Sequence, residues 1–395
     1  MSGMLSGLTI VEGAAFIAGP SCTLHFAQAG ATVIRFDQIG GGPDARRWPR
    51  AANGASYYWD GLNKGKKSIA LDLARPEGRA LAQRLACAAD GIFVTNYPLE
   101  SFLSWNNLSA LRADLICLRV MGWSDGAPAV DYTVNAACGV PLMTGPASHA
   151  QPVNHVLPAW DLLAGAYGAF ALLAALRERD ARGAGRELRL SLSDLTAVTL
   201  GNLGSVAETL TDGDRPRAGN DLFGAFGRDF TTADGVRLMI VAITARQWSG
   251  LLDALRIAED VAAVEAARGV SFAADEGLRY LHRDALFPLV EAAVGERVAA
   301  ELEVAFGARG VCFARYRSLS EALMVERRMF GDASLFETVT HPSGRYPTPR
   351  APLRPAWNDP LAAPRLGQHT DEILATFLGM SGQQIGALHD KGIVA

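Results

Sequence analysis

A single carboxylate, Asp161, stands at the head of the most apolar stretch of the chain. From Leu162 to Leu176 no residue is charged, and only Gly165, Tyr167, Gly168 and Phe170 interrupt a run of Leu and Ala. Pro158, just upstream, is a residue favoured at helix starts. A helix apolar on every side is expected to be buried, and these 15 residues fall short of the roughly 20 that cross a bilayer. Two roles are open to such an acid. It is either a helix-terminal group that the dipole stabilises by roughly 0.3–1 kcal/mol, or a carboxylate held ionised at the mouth of a core, which is a nucleophile.

Cations are the second group able to do chemistry. Arg46 and Arg47 precede Trp48 in the loop-rich segment Gly40–Asn63, and Lys64, Lys66 and Lys67 surround Gly65. Such runs are either solvated turns or point charges that meet phosphates. Long loops in compact domains are more often functional than idle. The cysteines point elsewhere: Cys22, Cys87, Cys117, Cys138 and Cys312 are scattered and form no C-x-x-C pair. Neither a zinc site nor a disulfide framework is expected, and Cys87 and Cys117 read as buried, reduced thiols.

The elements that must position these residues alternate in type. Strands are expected at Leu8–Val11, Ala31–Asp37, Ser68–Leu73, Gly91–Asn96, Leu115–Met121 and Glu187–Ser193. Helices are expected from Gly19-Pro20-Ser21 to Gly30, and over Pro76–Ala89, Leu108–Ala113 and Asp194–Leu210. That alternation predicts a largely parallel sheet covered by helices, an α/β fold. No G-x-G-x-x-G opens the first helix, which disfavours a nicotinamide dinucleotide.

Thr211–Asn220 is polar and rich in turn formers, so a boundary falls there. Beyond it come a hairpin within Phe230–Ala242 and helices over Gln247–Arg256, Leu278–Val294 and Ala299–Phe306. Met329–Pro352 is extended and carries four prolines, and Thr370–Leu378 and Ser381–Lys391 are helical. Apolar content of 49% with 20% charge describes a packed globular chain, and the net charge of −4 argues against a general nucleic-acid binder. No basic segment with a following apolar run opens the chain, so no signal peptide is expected and a reducing cytoplasm is the expected location.

Read in order, these residues resemble the family III CoA-transferases, the CaiB/BaiF group, over essentially the whole chain. The matching phrases are Ala18-Gly19-Pro20, Gly30 through Ile34, Asn63 through Leu73 with Pro76-Glu77-Gly78, and Asn96-Tyr97. Arg217-Ala218-Gly219-Asn220, Asp234-Gly235 and Leu366 through Thr370 continue the match. The family's nucleophilic Asp begins a Gly- and Ala-rich helix ending Ala-Ala-Leu, and here that position is Asp161. The resemblance implies an architecture: a Rossmann-like large domain built from both chain ends (1–210 and 329–395), a linker at 211–225, and an inserted α+β domain at 226–328. It implies two interlocked subunits, an acyl-CoA thioester substrate, no cofactor beyond the CoA that substrate carries, and neither a nucleic-acid nor a membrane partner.

The resemblance also implies contacts. CoA is expected against Ile17, Lys64, Leu71, Asp72, Asn96, Tyr97 and Pro98. Relatives of the formyl-CoA-transferase kind carry Gln where Ile17 stands, and basic residues where Pro98 and Ser104 stand. Lys64, Lys66, Lys67, Arg46 and Arg47 are therefore the substitute candidates for the CoA phosphates. Arg47 either pairs with a substrate carboxylate or makes a surface ion pair, and His155 either joins it or packs near the nucleophile. A racemase member would carry His where Val130 precedes Asp131.

Arg47-Trp48-Pro49, Val130 through Asn135, Val153 through Asp161 and Gly224 through Phe230 resemble one subgroup. Its members shift CoA between the two carboxyl groups of one methyl-branched unsaturated dicarboxylic acid; transfer between two separate acids is the alternative. Either reaction implies an aspartyl anhydride and an aspartyl-CoA thioester on Asp161. Helix-start N–H groups are candidate oxyanion donors. No general base is expected, since a carboxylate is ordinarily ionised near pH 7.

Overall fold

The computed structural model describes residues 3–331, 335–353 and 359–395. Its chain folds into two compact units. The first comprises Met1–Cys138, His155–Leu210 and Arg327–Ala395; the second comprises Gly139–Asn154 and Thr211–Glu326.

In the first unit, β1 (Thr9–Gly13) leads through α1 (Ala18–Gln28) to β2 (Thr32–Gln38), and α2 (Tyr57–Leu62) precedes β3 (Lys67–Leu71). Next come α3 (Pro76–Ala86), β4 (Ile92–Thr95), α4 (Trp105–Leu111), β5 (Ile116–Met121) and α5 (Asp131–Ala137). The one-turn α6 (Val140–Met143) belongs to the second unit. On its return to the first unit the chain forms α7 (Ala159–Arg182), β6 (Arg186–Ser191), α8 (Leu192–Asn202) and α9 (Ser205–Asp212, whose last residues enter the second unit). The six strands form one parallel sheet in the order β3-β2-β1-β4-β5-β6.

Period-2 alternation of the strands explains its two covered faces. Ile10, Val33, Val94 and Leu118 pack with Cys22 and Phe26 of α1 and Leu172 of α7. Their neighbours Val11, Ile34, Phe93 and Cys117 pack with Leu81 and Leu85 of α3 and, from the chain end, Ile373 and Leu374. The end of the chain is tied directly to the sheet, since Leu71 bridges to Val394 and the Ala395 N–H donates to Ala70 O.

The second unit holds a smaller antiparallel sheet of β7 (Phe226–Thr231), β8 (Arg237–Ala242) and β9 (Cys312–Arg315). Around it lie α10 (Ala245–Leu255), α11 (Ala258–Arg268), α12 (Glu276–Leu281), α13 (Arg283–Gly295), α14 (Ala299–Arg309) and α15 (Leu319–Val325). Its core is aromatic, built on Phe226, Phe230, Trp248, Phe272, Phe287 and Phe306. The chain then re-enters the first unit through the one-turn α16 (Arg327–Phe330), the hairpin β10 (Phe336–His341) and β11 (Gly344–Pro349), and α17 (Thr370–Leu378) and α18 (Gly382–Asp390).

Several expectations need correction. Residues 139–154 pack with the second unit, not the first, because Arg217 donates to Thr144 O (2.6 Å) and the Gly219 N–H donates to Gly145 O (3.1 Å). The helix expected over Asp194–Leu210 breaks at Gly204, whose φ of +80° ends α8. That over Leu278–Val294 divides at His282. The extended segment Met329–Pro352 closes into the β10–β11 hairpin.

Helix α7 departs from expectation in a more telling way. Buried Trp160, Ala164, Gly165, Gly168, Leu172 and Ala175 form only one side of it. Leu162, Tyr167, Phe170 and Leu173 on the rest of its surface are 40–64% exposed. The helix runs 24 residues, not 15, and among the described residues it is the one helix long and apolar enough to cross a membrane by length and composition. Its inner side is that of a core helix whose glycines permit close approach. A Cβ at Gly165 would lie 1.9 Å from Ser21 Oγ of α1, and one at Gly168 would lie 2.8 Å from Leu118 of β5.

Candidate active site

The strand order reverses between β1 and β4, and open α/β sheets bind ligands in the crevice outside the carboxyl ends of the strands at such a point. A cavity of about 540 Å³ opens there, and its lining includes Ala15, Phe16, Asn96, Tyr97, Pro98 and Asp161. Asn96 fixes the crevice from within: its Oδ1 accepts the Ala15 N–H (3.1 Å) and its Nδ2 donates to Ala15 O (3.0 Å). Arg119, fully buried on β5, donates to Tyr97 O (2.7 Å) and Leu103 O (2.8 Å) while paired with Glu187 (2.8 Å). The Asn96–Pro98 turn is thereby held by a cation that has no access to solvent.

The opposite wall is Phe16. Its φ of +69° is a genuine outlier for a bulky side chain, and such strain persists only where the surroundings over-determine it. Here Asp44 Oδ1 accepts the Phe16 N–H at 2.9 Å, and Asp44 Oδ2 is paired with Arg35 at 2.9 Å. The Arg47 guanidinium lies 5.4 Å from the centre of the Phe16 ring and 4.9 Å from that of Tyr58, within cation–π range of both.

Asp161 sits in the first turn of α7, whose start is held by a second acid. Asp131, 1% exposed at the head of α5, accepts the N–H of Trp160 (2.7 Å) and of Asp161 (3.1 Å) on Oδ2. Two helix-start donors are thus already used and do not face a substrate oxyanion. Trp160 Nε1 donates to Asn135 Oδ1 (3.1 Å), fixing α7 against α5 a second time. Burial, then the neighbouring negative charge of Asp131, push the Asp161 carboxyl up to about 7, and the positive charge of Arg47 opposes them. Burial and Asp131 therefore work against the ionisation expected of a carboxylate at neutral pH.

The other residues singled out by sequence fall into three groups. Asn96, Tyr97, Pro98 and Asp161 come together at the β1/β4 crevice, whereas Ile17 is buried at the start of α1 between the lining residues Phe16 and Ala18 and does not itself line it. Leu71 and Asp72 lie at the carboxyl end of β3, three strands or about 14 Å across the sheet from β4. Leu71 is buried there, and Asp72 Oδ1 accepts the Ala74 N–H (3.1 Å). His155 Nε2 lies 2.5 Å from Asp131 Oδ1, so its ring reaches the nucleophile through that acid.

The lysines are elsewhere. Lys64 lines cavities at the amino end of β3, beside Gln28 and Thr32 in one and Tyr57 and His341 in the other, and burial pushes it down to about 8. Lys67 pairs with Glu372. Lys66 is fully buried on Glu12 (2.7 Å), Pro20 O (2.9 Å) and Asn63 (3.0 Å), which removes it from the phosphate candidates. Arg46 donates to Gly40 O on the surface (3.2 Å).

Sequence reasoning named Asp131 only as a marker against a racemase and passed over Arg119 and the strain at Phe16. Only Asp131 left a local signal, as an acid opening a short helix ahead of Trp160.

The family model for CoA-transferase family III matches residues 5–370, and the chain belongs to that family. The 2-methylfumaryl-CoA isomerase of Chloroflexus aurantiacus is 44% identical, with 100% of this chain and 98% of the relative covered. The succinyl-CoA–D-citramalate CoA-transferase of the same organism is 29% identical over 99% of this chain and 98% of its own. A CaiB/BaiF family protein from Brucella suis shares the fold with a TM-score of 0.75 at 24% identity, covering 95% of this chain and 99% of that one.

Proposed function

We propose that this enzyme interconverts 2-methylfumaryl-CoA and 3-methylfumaryl-CoA by moving CoA between the two carboxyl groups of one acid. The observation that carries the reading is the end-to-end 44% identity with a relative of that name. The ionised Asp161 carboxylate attacks the C1 thioester carbonyl; the C–S bond breaks, leaving a mixed aspartyl–acyl anhydride and CoA thiolate. The thiolate attacks the aspartyl carbonyl, releasing the dicarboxylate and forming an aspartyl-CoA thioester. The C4 carboxylate then attacks that thioester, and the expelled thiolate takes the acyl group through C4 and restores Asp161. Dividing the exchange into displacements at activated carbonyls is what the covalent route contributes.

Arg47 is the cation suited to hold whichever carboxylate is not being acylated, since its planar fork matches a carboxylate and its charge acts on Asp161. CoA runs along the carboxyl ends of the strands past Ile17, Asn96–Pro98 and Leu71–Asp72. Retention of the free acid gives its second carboxylate a high effective concentration. The exposed apolar side of α7 favours burial in a homodimer of interlocked subunits, and five free thiols suit the cytoplasm.

The test incubates the purified protein with 2-methylfumaryl-CoA and isotope-labelled free 2-methylfumarate. Formation of 3-methylfumaryl-CoA with little label in either thioester is expected. No conversion overturns the reading, and full label exchange replaces it with transfer between separate acids.

A further inference from the structure

The acyl-transfer scheme gives His155 no step, yet the ring is held firmly beside the nucleophile. Its Nε2 lies 2.5 Å from Asp131 Oδ1, and since an ionised carboxylate can only accept, the ring nitrogen is the hydrogen-bond donor to it. The other oxygen of the same carboxylate accepts the N–H of Trp160 and of Asp161 itself. Asp131 therefore has an imidazole on one side and the start of the nucleophile's helix on the other. The Tyr132 ring meets the His155 ring edge-on at 5.4 Å, and the Tyr132 hydroxyl donates to Val156 O (3.3 Å), so α5 holds His155 in place. Among the described residues, Arg47 also acts on Asp161, and the Tyr58 phenol, its ring centre 4.9 Å from the Arg47 guanidinium, feels the charge of Asp161 in turn.

We propose that His155 is a positioning residue that offsets the charge of Asp131 and so allows Asp161 to lose its proton and attack at neutral pH. The inference rests on the proposed function and adds to it a control over ionisation of the nucleophile. Two carboxylates sharing one partly buried site repel, and one of them is driven to hold a proton. The Asp131 side chain fixes the first turn of α7 by accepting two of its N–H groups, so its charge stands beside the nucleophile. A proton shared between Nε2 and Oδ1 draws that charge away from Asp161. Without the ring, the full charge of Asp131 faces the nucleophile. Without the charge of Asp131, burial alone opposes ionisation and Arg47 promotes it.

The two removals therefore act in opposite directions, which loss of structure would not do. The ligand-free protein, with carbon-13 in its Asp carboxyl groups, is titrated by NMR, and the Asp161 signal is identified by its loss in D161N. In H155F the midpoint is expected to rise by about one pH unit, and in D131N to fall by about as much. H155Q, which keeps a donor but cannot carry positive charge, is expected between wild type and H155F, and it serves if the Phe variant does not fold. In kinetics, H155F is expected to lose about tenfold in kcat/KM at pH 6.5, the factor one pH unit carries on an acid limb, and to recover to within about twofold at pH 9. Unchanged midpoints, or midpoints that move the same way in H155F and D131N, overturn the proposal. Because the titration uses no substrate, absence of isomerase activity would count against the proposed function and leave this ordering intact.

Discussion

Two clusters of buried charge in the first unit are treated in opposite ways. Around Arg35 each carboxylate has a cation: its guanidinium meets Asp37 (2.8 Å), Asp44 (2.9 Å) and Glu12 (2.9 Å) against the Trp59 ring, and Lys66 completes Glu12, although burial still holds the Asp44 carboxyl above its usual value. Burial by itself would raise the Glu12 carboxyl, but Lys66 and Arg35 hold it below its usual value. Around Asp161 the balance is left incomplete: a second acid lies next to it, and Arg47 offsets only part of the cost, so the carboxyl stays up near 7. The first cluster holds the Phe16 turn in shape. The second keeps a carboxylate poorly solvated, and therefore reactive, at the cavity those turns enclose.

Breaking that contrast should produce effects that descend in size. Asp161→Asn removes the nucleophile, and conversion of 2-methylfumaryl-CoA, followed by thioester chromatography, is expected to drop by at least about 10⁴-fold, or some 5 kcal/mol of barrier. The same variant sharpens the electrostatic side. A carboxyl near 7 in the fold and near 3.9 in the unfolded chain binds its proton more tightly when folded, so stability is lost as pH rises from about 4 to about 7. Asp161→Asn should therefore raise Tm over wild type more at pH 8 than at pH 5, the free-energy gain growing between those values by at most about 3 kcal/mol. Equal Tm differences at the two pH values would remove the strain ascribed to Asp161.

Lys66→Met breaks the satisfied cluster by leaving Glu12 short of a partner. A loss of about 3–5 kcal/mol in urea unfolding is expected, and a loss under 1 kcal/mol would show that the network does not hold the fold. Gly165→Ala forces α7 away from Ser21, at an expected cost of about 1–3 kcal/mol by the same measurement. Arg47→Ala is the mildest. The Michaelis constant should rise about tenfold, roughly 1.4 kcal/mol, with the acid limb of the pH profile moving upward. An unchanged constant would take Arg47 out of the site.

Much of this arrangement was legible in the chain. The strand–helix alternation pointed to the parallel sheet because the central strands read as short apolar runs joined through helices, as parallel strands require. Pro158 followed by an uncharged stretch marked the start of α7 and, with it, Asp161. Local pattern failed where the partner of a residue is distant in sequence. Lys66 looks like its neighbours Lys64 and Lys67, and only the fold brings Glu12 to its ammonium, 54 residues away. Residues 139–154 look like part of the large unit until Arg217 is found on Thr144.

The sequence by itself determined the alternation of strands and helices, where α7 begins and that its first turn carries one acid, because these follow from local pattern within a few residues. Only the tertiary structure decided that Asp131 lies against that acid, that His155 answers Asp131 and that Lys66 is locked inside. The ionisation of a carboxyl depends on burial and on charges a few ångströms away, and those neighbours come from separate elements that the chain alone does not bring together.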